Sequence, residues 1–241
     1  MRALEGNYNL THQVTNKLGL DIVQGKYNNG QPFPTEAQLA EQFDISRSVM
    51  REAVKMLTAK GLISSRPRQG IRLSPASQWN MFDSDVLAWT LKARPSMSLL
   101  KEFTELRYAI EPEAVALAAR IGDQEAIARI GAALERMRAA ESGDDDNLEA
   151  DIEFHNQILY ASQNRFFIQL SHFIETALRV AITFTNKMAD TRFASWEDHK
   201  KVYDPIANGD TAAASAAMRR LLEEALDLIN SALEVEKQRN R

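Results

Sequence analysis

The 241 residues include no cysteine. That excludes a disulfide framework, a thiolate nucleophile and any thiolate-held metal. Glycine (10) and proline (7) are too sparse for a collagen-like or low-complexity chain. No apolar run approaches the roughly 20 residues of a membrane-spanning helix. Met1 to Leu10 lacks the apolar stretch of a secretory signal, so a cytoplasmic location is expected. What remains is ordinary for a chain with a packed core: 44% hydrophobic and 26% charged residues. The length suits one large domain or two modest ones.

The net charge of -4 hides an asymmetry. Residues 1–75 carry 10 Lys+Arg against 6 Asp+Glu, a net of +4; the remainder carries 19 against 27, a net of -8. A basic segment joined to an acidic one suggests that only the first part meets a polyanion.

Residues 9–25 have helical spacing, with Val14, Leu18 and Ile22 on one face. Gly25 and Asn28-Asn29-Gly30 end that stretch. Thr35, with Gln38 three residues on, predicts a capped helix over about 35–42. Ser46 predicts the start of a third helix that runs to about Lys60 and is ended by Gly61. Leu62-Ile63-Ser64 and Ile71-Arg72-Leu73 read as short strands around the basic turn Arg66-Pro67-Arg68-Gln69-Gly70. This order predicts a winged helix-turn-helix. A helix fits the major groove of DNA, and its first residues reach the base edges. Those are Ser46, Arg47, Ser48 and Arg51, the two arginines four apart and on one side. Arg66 and Arg68 at the wing tip would meet phosphates or the minor groove. The rival reading is a winged helix used for protein contacts, its arginines merely solvated.

The stretches Gly30-Gln-Pro-Phe-Pro-Thr-Glu-Ala-Gln-Leu-Ala, Ile45-Ser-Arg-Ser-Val-Met-Arg-Glu-Ala, Lys60-Gly-Leu-Ile and Arg68-Gln-Gly together resemble the DNA-binding domain of GntR-family transcription regulators. The resemblance spans nearly all of residues 10–74. It implies DNA contacts from Thr35, Glu36, Ser46, Arg47, Ser48, Arg51, Arg66, Arg68, Gln69 and Gly70. The family often has an arginine where this chain has Ala37, so its operator contacts are expected to depart from the commonest type.

Beyond residue 75 the expected plan is a linker over 76–96, which packs between the domains, and an all-helical domain over 97–241. Helices are expected at about 97–120, 123–140, 147–162, 165–189, 195–207 and 211–237. The fold class is therefore mainly α, a winged helix-turn-helix followed by a helical bundle. Some polar residues fall where apolar ones belong. His155 shares a stripe with Leu148, Ile152 and Leu159; Asp151 lies one turn before it; Arg107 sits in the stripe of Leu100, Phe103, Ile110 and Ala114; His199 opens a later helix. Inward polar groups need partners. They form either a satisfied internal network or a polar cavity for a small anion or a metal.

Asp151-Ile-Glu-Phe-His155, Ala161-Ser-Gln-Asn, Asp198-His199-Lys, Gly209-Asp210 and Met218, with Glu105-Leu-Arg107 to Glu111-Pro112, resemble the FCD domain of the FadR branch of GntR regulators. Many such domains bind a divalent metal through an Asp and three His. Carried over, the ligands are Asp151, His155 and His199, and the remaining His position holds Leu221, which cannot ligate. A divalent metal such as zinc on three protein ligands and a metal-free site are both open. His12 and His172 lie outside the pattern and read as structural or exposed. Gln78-Trp-Asn80 and Asp83 to Trp89 resemble regulators of sugar-acid catabolism within the branch.

The expected protein is a homodimeric regulator, a repressor rather than an activator, that reads an inverted repeat of double-stranded DNA. Its effector is a small carboxylate, a sugar acid such as an aldonate like galactonate, held by Arg107, Asp151, His155 and His199. Another carboxylate is the alternative. An enzyme reading, a helical metallohydrolase, lacks a general base beside a metal-bound water. No catalytic residue is assigned.

Overall fold

The computed structural model describes residues 2–28, 32–66, 70–93, 96–186 and 195–239. They form two compact units, Met1–Arg94 and Pro95–Arg241.

The first unit opens with α1 (Arg2–Val23), longer at its start than the apolar spacing predicts. Helix α2 (Glu36–Gln42) begins at Thr35, whose side chain accepts from the Gln38 amide while the Gln38 side chain accepts from the Thr35 amide. That reciprocal cap satisfies two orphan donors. Helix α3 (Arg47–Ala59) starts at Ser46, whose hydroxyl accepts from the Val49 amide, and ends at Lys60. Gly61 has a φ of +79°. A Cβ there would lie 2.4 Å from the Gln78 carbonyl oxygen, so only glycine fits both the turn and the approach. Strands β1 (Ile63–Arg66) and β2 (Gly70–Leu73) pair antiparallel, Ile63 opposite Leu73 and Arg66 opposite Gly70.

Residues 76–93, expected as linker, instead complete this unit. A short 3₁₀ turn (Ala76–Gln78) leads to α4 (Ser84–Ala93), and Val86 and Trp89 join the core of Leu18, Ile22, Leu39, Met50 and Leu57. The reason is steric and ionic. Gly19 of α1 presents a bare backbone against which the Trp89 ring lies. The Lys60 ammonium donates to both Asp83 oxygens at 2.7 and 2.8 Å and to Asp85 at 2.9 Å, and it stands 5.7 Å from the Trp89 ring centre.

The second unit is all helix among the described residues: α5 (Met97–Ile121), α6 (Gln124–Glu141), α7 (Asn147–Ala161), α8 (Arg165–Gln169), α9 (Ser171–Asn186), α10 (Trp196–Ala207) and α11 (Thr211–Arg239). Asp123, Asp146 and Ser195 cap α6, α7 and α10 through their side chains. The single helix expected at 165–189 is broken at Leu170 into α8 and α9, and residues 187–189 of that expected helix lie outside the described residues. Helix α7 packs on α5, α6 and α9, while α10 packs on α5, α6 and α11. Phe154, Leu100, Ile130, Ile158, Val202 and Met218 are buried among them.

Candidate functional site

In the first unit the third helix carries the candidate surface. Val49, Met50, Ala53, Val54 and Leu57 of α3 are buried, which turns Arg47, Ser48 and Arg51 outward. Ser46 and Ser48 share a hydroxyl contact of 2.9 Å at the helix start. The Arg51 Nε donates to Glu36 at 3.4 Å, so two of the expected residues meet across α2 and α3. A cleft of about 510 Å³ lies where α2 meets the start of α3, lined in part by Ala37, Gln38, Glu41 and Arg47. Ala37 contributes only a methyl group to that wall. Thr35 is committed to its cap. Arg66 ends β1, exposed, and Gly70 opens β2 with a φ of +72°. Arg68 and Gln69 lie outside the described residues.

In the second unit Arg107, Asp151, His155 and His199 do come together. Two turns of α7 place Asp151 and His155 on one face, α5 supplies Arg107, and the first turn of α10 supplies His199. Glu111, one turn beyond Arg107, is the member that the sequence reading left out, although its i+4 spacing from an inward arginine is a visible signal. Its carboxylate is fully buried. It accepts from Arg107 Nε at 2.7 Å and stands 2.8 Å from His155 Nδ1. Burial by itself would raise its pKa, but Arg107 and His155 outweigh that and hold it at about 2. Asp151 is also held at about 2: burial would raise it, while His199, His155 and Arg107 lower it.

These contacts assign the ring protons. A carboxylate only accepts and a guanidinium only donates. His155 Nδ1 therefore carries hydrogen toward Glu111, and Arg107 Nη2 lies across the ring, 2.9 Å from Nε2 and 3.2 Å from Nδ1. On His199 the Nδ1 donates to the Ser195 carbonyl at 3.0 Å. The other ring nitrogen, Nε2, faces Asp151. That atom is buried without a hydrogen-bond partner, although Asp151 Oδ1 is 2.9 Å away. A ring nitrogen and a carboxylate oxygen this close need a proton or a cation between them. His155 Nε2 lies 3.8 Å from the same oxygen. One ligand atom from each of the three residues falls within 4.8 Å of the others, wider than the roughly 3.4 Å between ligands of a tetrahedral zinc, so an ion would draw the cluster in. Two imidazoles and a carboxylate fit a divalent metal in donor type. Leu221 is buried and adds no ligand. His172 is exposed and His12 is half-buried on α1; neither joins the cluster.

Comparison with known proteins agrees with this division. The family model described as bacterial regulatory proteins, gntR family, matches residues 10–73, and that of the FCD domain matches residues 102–224. The galactonate operon transcriptional repressor of Escherichia coli K12 is 34% identical over 210 residues, 87% of this chain and 92% of that one. YieP, an uncharacterized HTH-type transcriptional regulator of the same strain, is 33% identical over 221 residues, 91% of this chain and 95% of its own. Among solved structures, Lar, described as controlling the Listeria monocytogenes agr system, superposes with a TM-score of 0.54 at 20% identity, covering 90% of this chain and 96% of its own.

Proposed function

The chain belongs to the gntR family of bacterial regulatory proteins, as a DNA-binding transcription regulator with an FCD effector domain and not an enzyme; from that premise we propose that it is a homodimeric repressor of a sugar-acid catabolic operon. Its effector is an aldonate such as galactonate, held in the FCD domain by His155, His199, Asp151 and Arg107. A divalent ion such as zinc on Asp151, His155 and His199 supplies a Lewis-acidic anchor for the carboxylate when bound. The observation that carries this reading is the convergence of Asp151, His155 and His199, with His199 Nε2 buried 2.9 Å from Asp151, beside the buried guanidinium of Arg107. The name of the E. coli galactonate relative supports the choice of acid.

In the first unit, Arg47 and Arg51 read base edges, and Arg66 with Arg68 neutralises phosphates. Two-fold symmetry of the dimer matches an inverted repeat. The effector acts through its differential affinity for the DNA-competent and released arrangements.

Calorimetry of the full chain against aldonates, uronates, dicarboxylates and acyl-CoAs, with and without zinc, tests the effector. Gel-shift release by the binding acid tests the response. Binding of an acyl-CoA alone would overturn the sugar-acid reading.

A further inference from the structure

We propose that Arg72 of the wing is a DNA-phosphate contact and that, with Arg66, it grips the backbone beside the start of α2, where Ala37 brings no charge. This rests on the first unit binding DNA. The cations of that unit divide by whether a carboxylate holds them. Lys17 and Lys26 reach Asp21, Arg51 reaches Glu36, Lys55 reaches Glu52, and Lys60 reaches Asp83 and Asp85. Among the described side chains of the unit, Arg47, Arg66, Arg72 and Lys92 have no such partner. Arg47 and Arg66 already point to DNA by their places on α3 and at the end of β1. Arg72 shares their condition, exposed on β2 and unpaired. No acidic residue occurs between Glu52 and Asp83, so the wing has no carboxylate of its own to neutralise it. A cation left unneutralised by the fold is available to a polyanion.

The wing sets where that charge points. Side chains alternate across a strand. Ile63 and Ile71 are buried, so Ser64, Arg66, Gly70 and Arg72 take the outer face. Arg72 lies opposite Ser64, and Arg66 opposite Gly70. The two arginines are therefore diagonal neighbours, with roughly 7–8 Å between their α-carbons. Gly70 puts no side chain between them, and a Cβ there would meet nothing within 4 Å. Ser64 adds a hydroxyl, and hydroxyls and guanidiniums are groups that meet phosphate oxygens. Arg72 also borders a cleft of about 500 Å³ that Thr35 lines as well. Thr35 caps α2, and Ala37, two residues on, lines the next cleft together with Arg47. Arg72 thus stands on the side where α2 begins. The first turn of α2 carries a carboxylate, Glu36, and no cation. Arg72 supplies positive charge there from the body of the strand, behind the wing tip, a place suited to the backbone rather than to base edges.

The test is binding of the full chain to two DNA duplexes of unrelated sequence, read by fluorescence anisotropy over a range of salt, for wild type, Arg72→Ala, Arg72→Lys and Lys92→Ala. A phosphate contact carries no sequence information, so the operator is not needed. Loss of one contact lowers the slope of log affinity against log salt by about 0.9 per protomer engaged, so a fourfold rise in salt should weaken Arg72→Ala about 3.5-fold less per protomer than wild type. Both duplexes should show the same change, and Arg72→Lys should keep the wild-type slope. Lys92→Ala, which removes an unpaired cation from α4, should keep it too. Circular dichroism checks that Arg72→Ala is folded, and Arg72→Gln takes its place if it is not. An unchanged slope in the folded variant overturns the contact. An equal change in Lys92→Ala assigns the effect to net charge and overturns it as well. A loss on one duplex alone makes Arg72 a base reader, against the phosphate assignment. Binding of neither duplex by wild type at low salt removes DNA binding by the first unit, and this inference with it.

Discussion

Replacing Glu111 by alanine strands a buried cation, and the size of the penalty follows from the contacts. The carboxylate accepts from Arg107 Nε at 2.7 Å and pairs with His155 at 2.8 Å, and the Arg107 side chain is only 8% exposed. Breaking a buried pair by removing one partner costs about 3–5 kcal/mol, because the surviving charge stays out of water. In a domain of this size that amounts to a fall in Tm of roughly 10–15 °C. Differential scanning calorimetry should show it in Glu111→Ala, and the Arg107→Met, Glu111→Gln pair should recover most of it. The pH dependence has a definite sign. Glu111 is held at about 2 when folded, against an ordinary value of 4.5. A depressed carboxylate stabilises the fold above its unfolded pKa and loses that contribution as pH falls toward its folded one. The gap between wild type and Glu111→Gln should therefore be full above pH 4.5 and close as pH approaches 2. A Tm loss under about 3 °C for Glu111→Ala at neutral pH would refute the buried ion pair.

Arg47→Ala and Arg51→Ala should each weaken specific operator binding by about 1–3 kcal/mol, the scale of one base contact, while leaving non-specific binding far less affected; equal losses on all sequences in a fluorescence-anisotropy assay would assign them to phosphates instead. His199→Ala should abolish zinc binding by calorimetry without loss of operator affinity, because His199 lies in the second unit and the DNA-reading arginines in the first. Gly19→Ala would place a Cβ 2.3 Å from the Trp89 ring and should cost on the order of 1–3 kcal/mol by overpacking, read as a lower urea midpoint of the first unit; an unchanged midpoint would mean that α4 is not locked on α1. Light scattering of the full chain at micromolar concentration should give twice the monomer mass, and a monomer would contradict the inverted-repeat reading.

Local chemistry is written in neighbouring residues, and there the sequence was sufficient. The Thr35 and Gln38 cap, the Ser46 cap and the Gly61 stop place the helix-turn-helix because each acts within four residues of itself. Apolar periodicity marked which side of α3 faces inward and so which side offers Arg47 and Arg51. Stripes on α5 and α7 marked Arg107 and His155 as inward. The break at Leu170 was not legible, since no glycine or proline signals it. Nor was the place of α4. Whether Trp89 lies between the units or in the first depends on Gly19, some seventy residues earlier, and on Lys60. Only the tertiary structure decided how the polar residues act on one another. Asp151 and His155 are one turn apart in sequence, yet the proton positions come from Glu111 on α5 and Ser195 at the start of α10. A lone pair's direction is set by whatever faces the opposite ring nitrogen, and packing alone brings that partner from another helix.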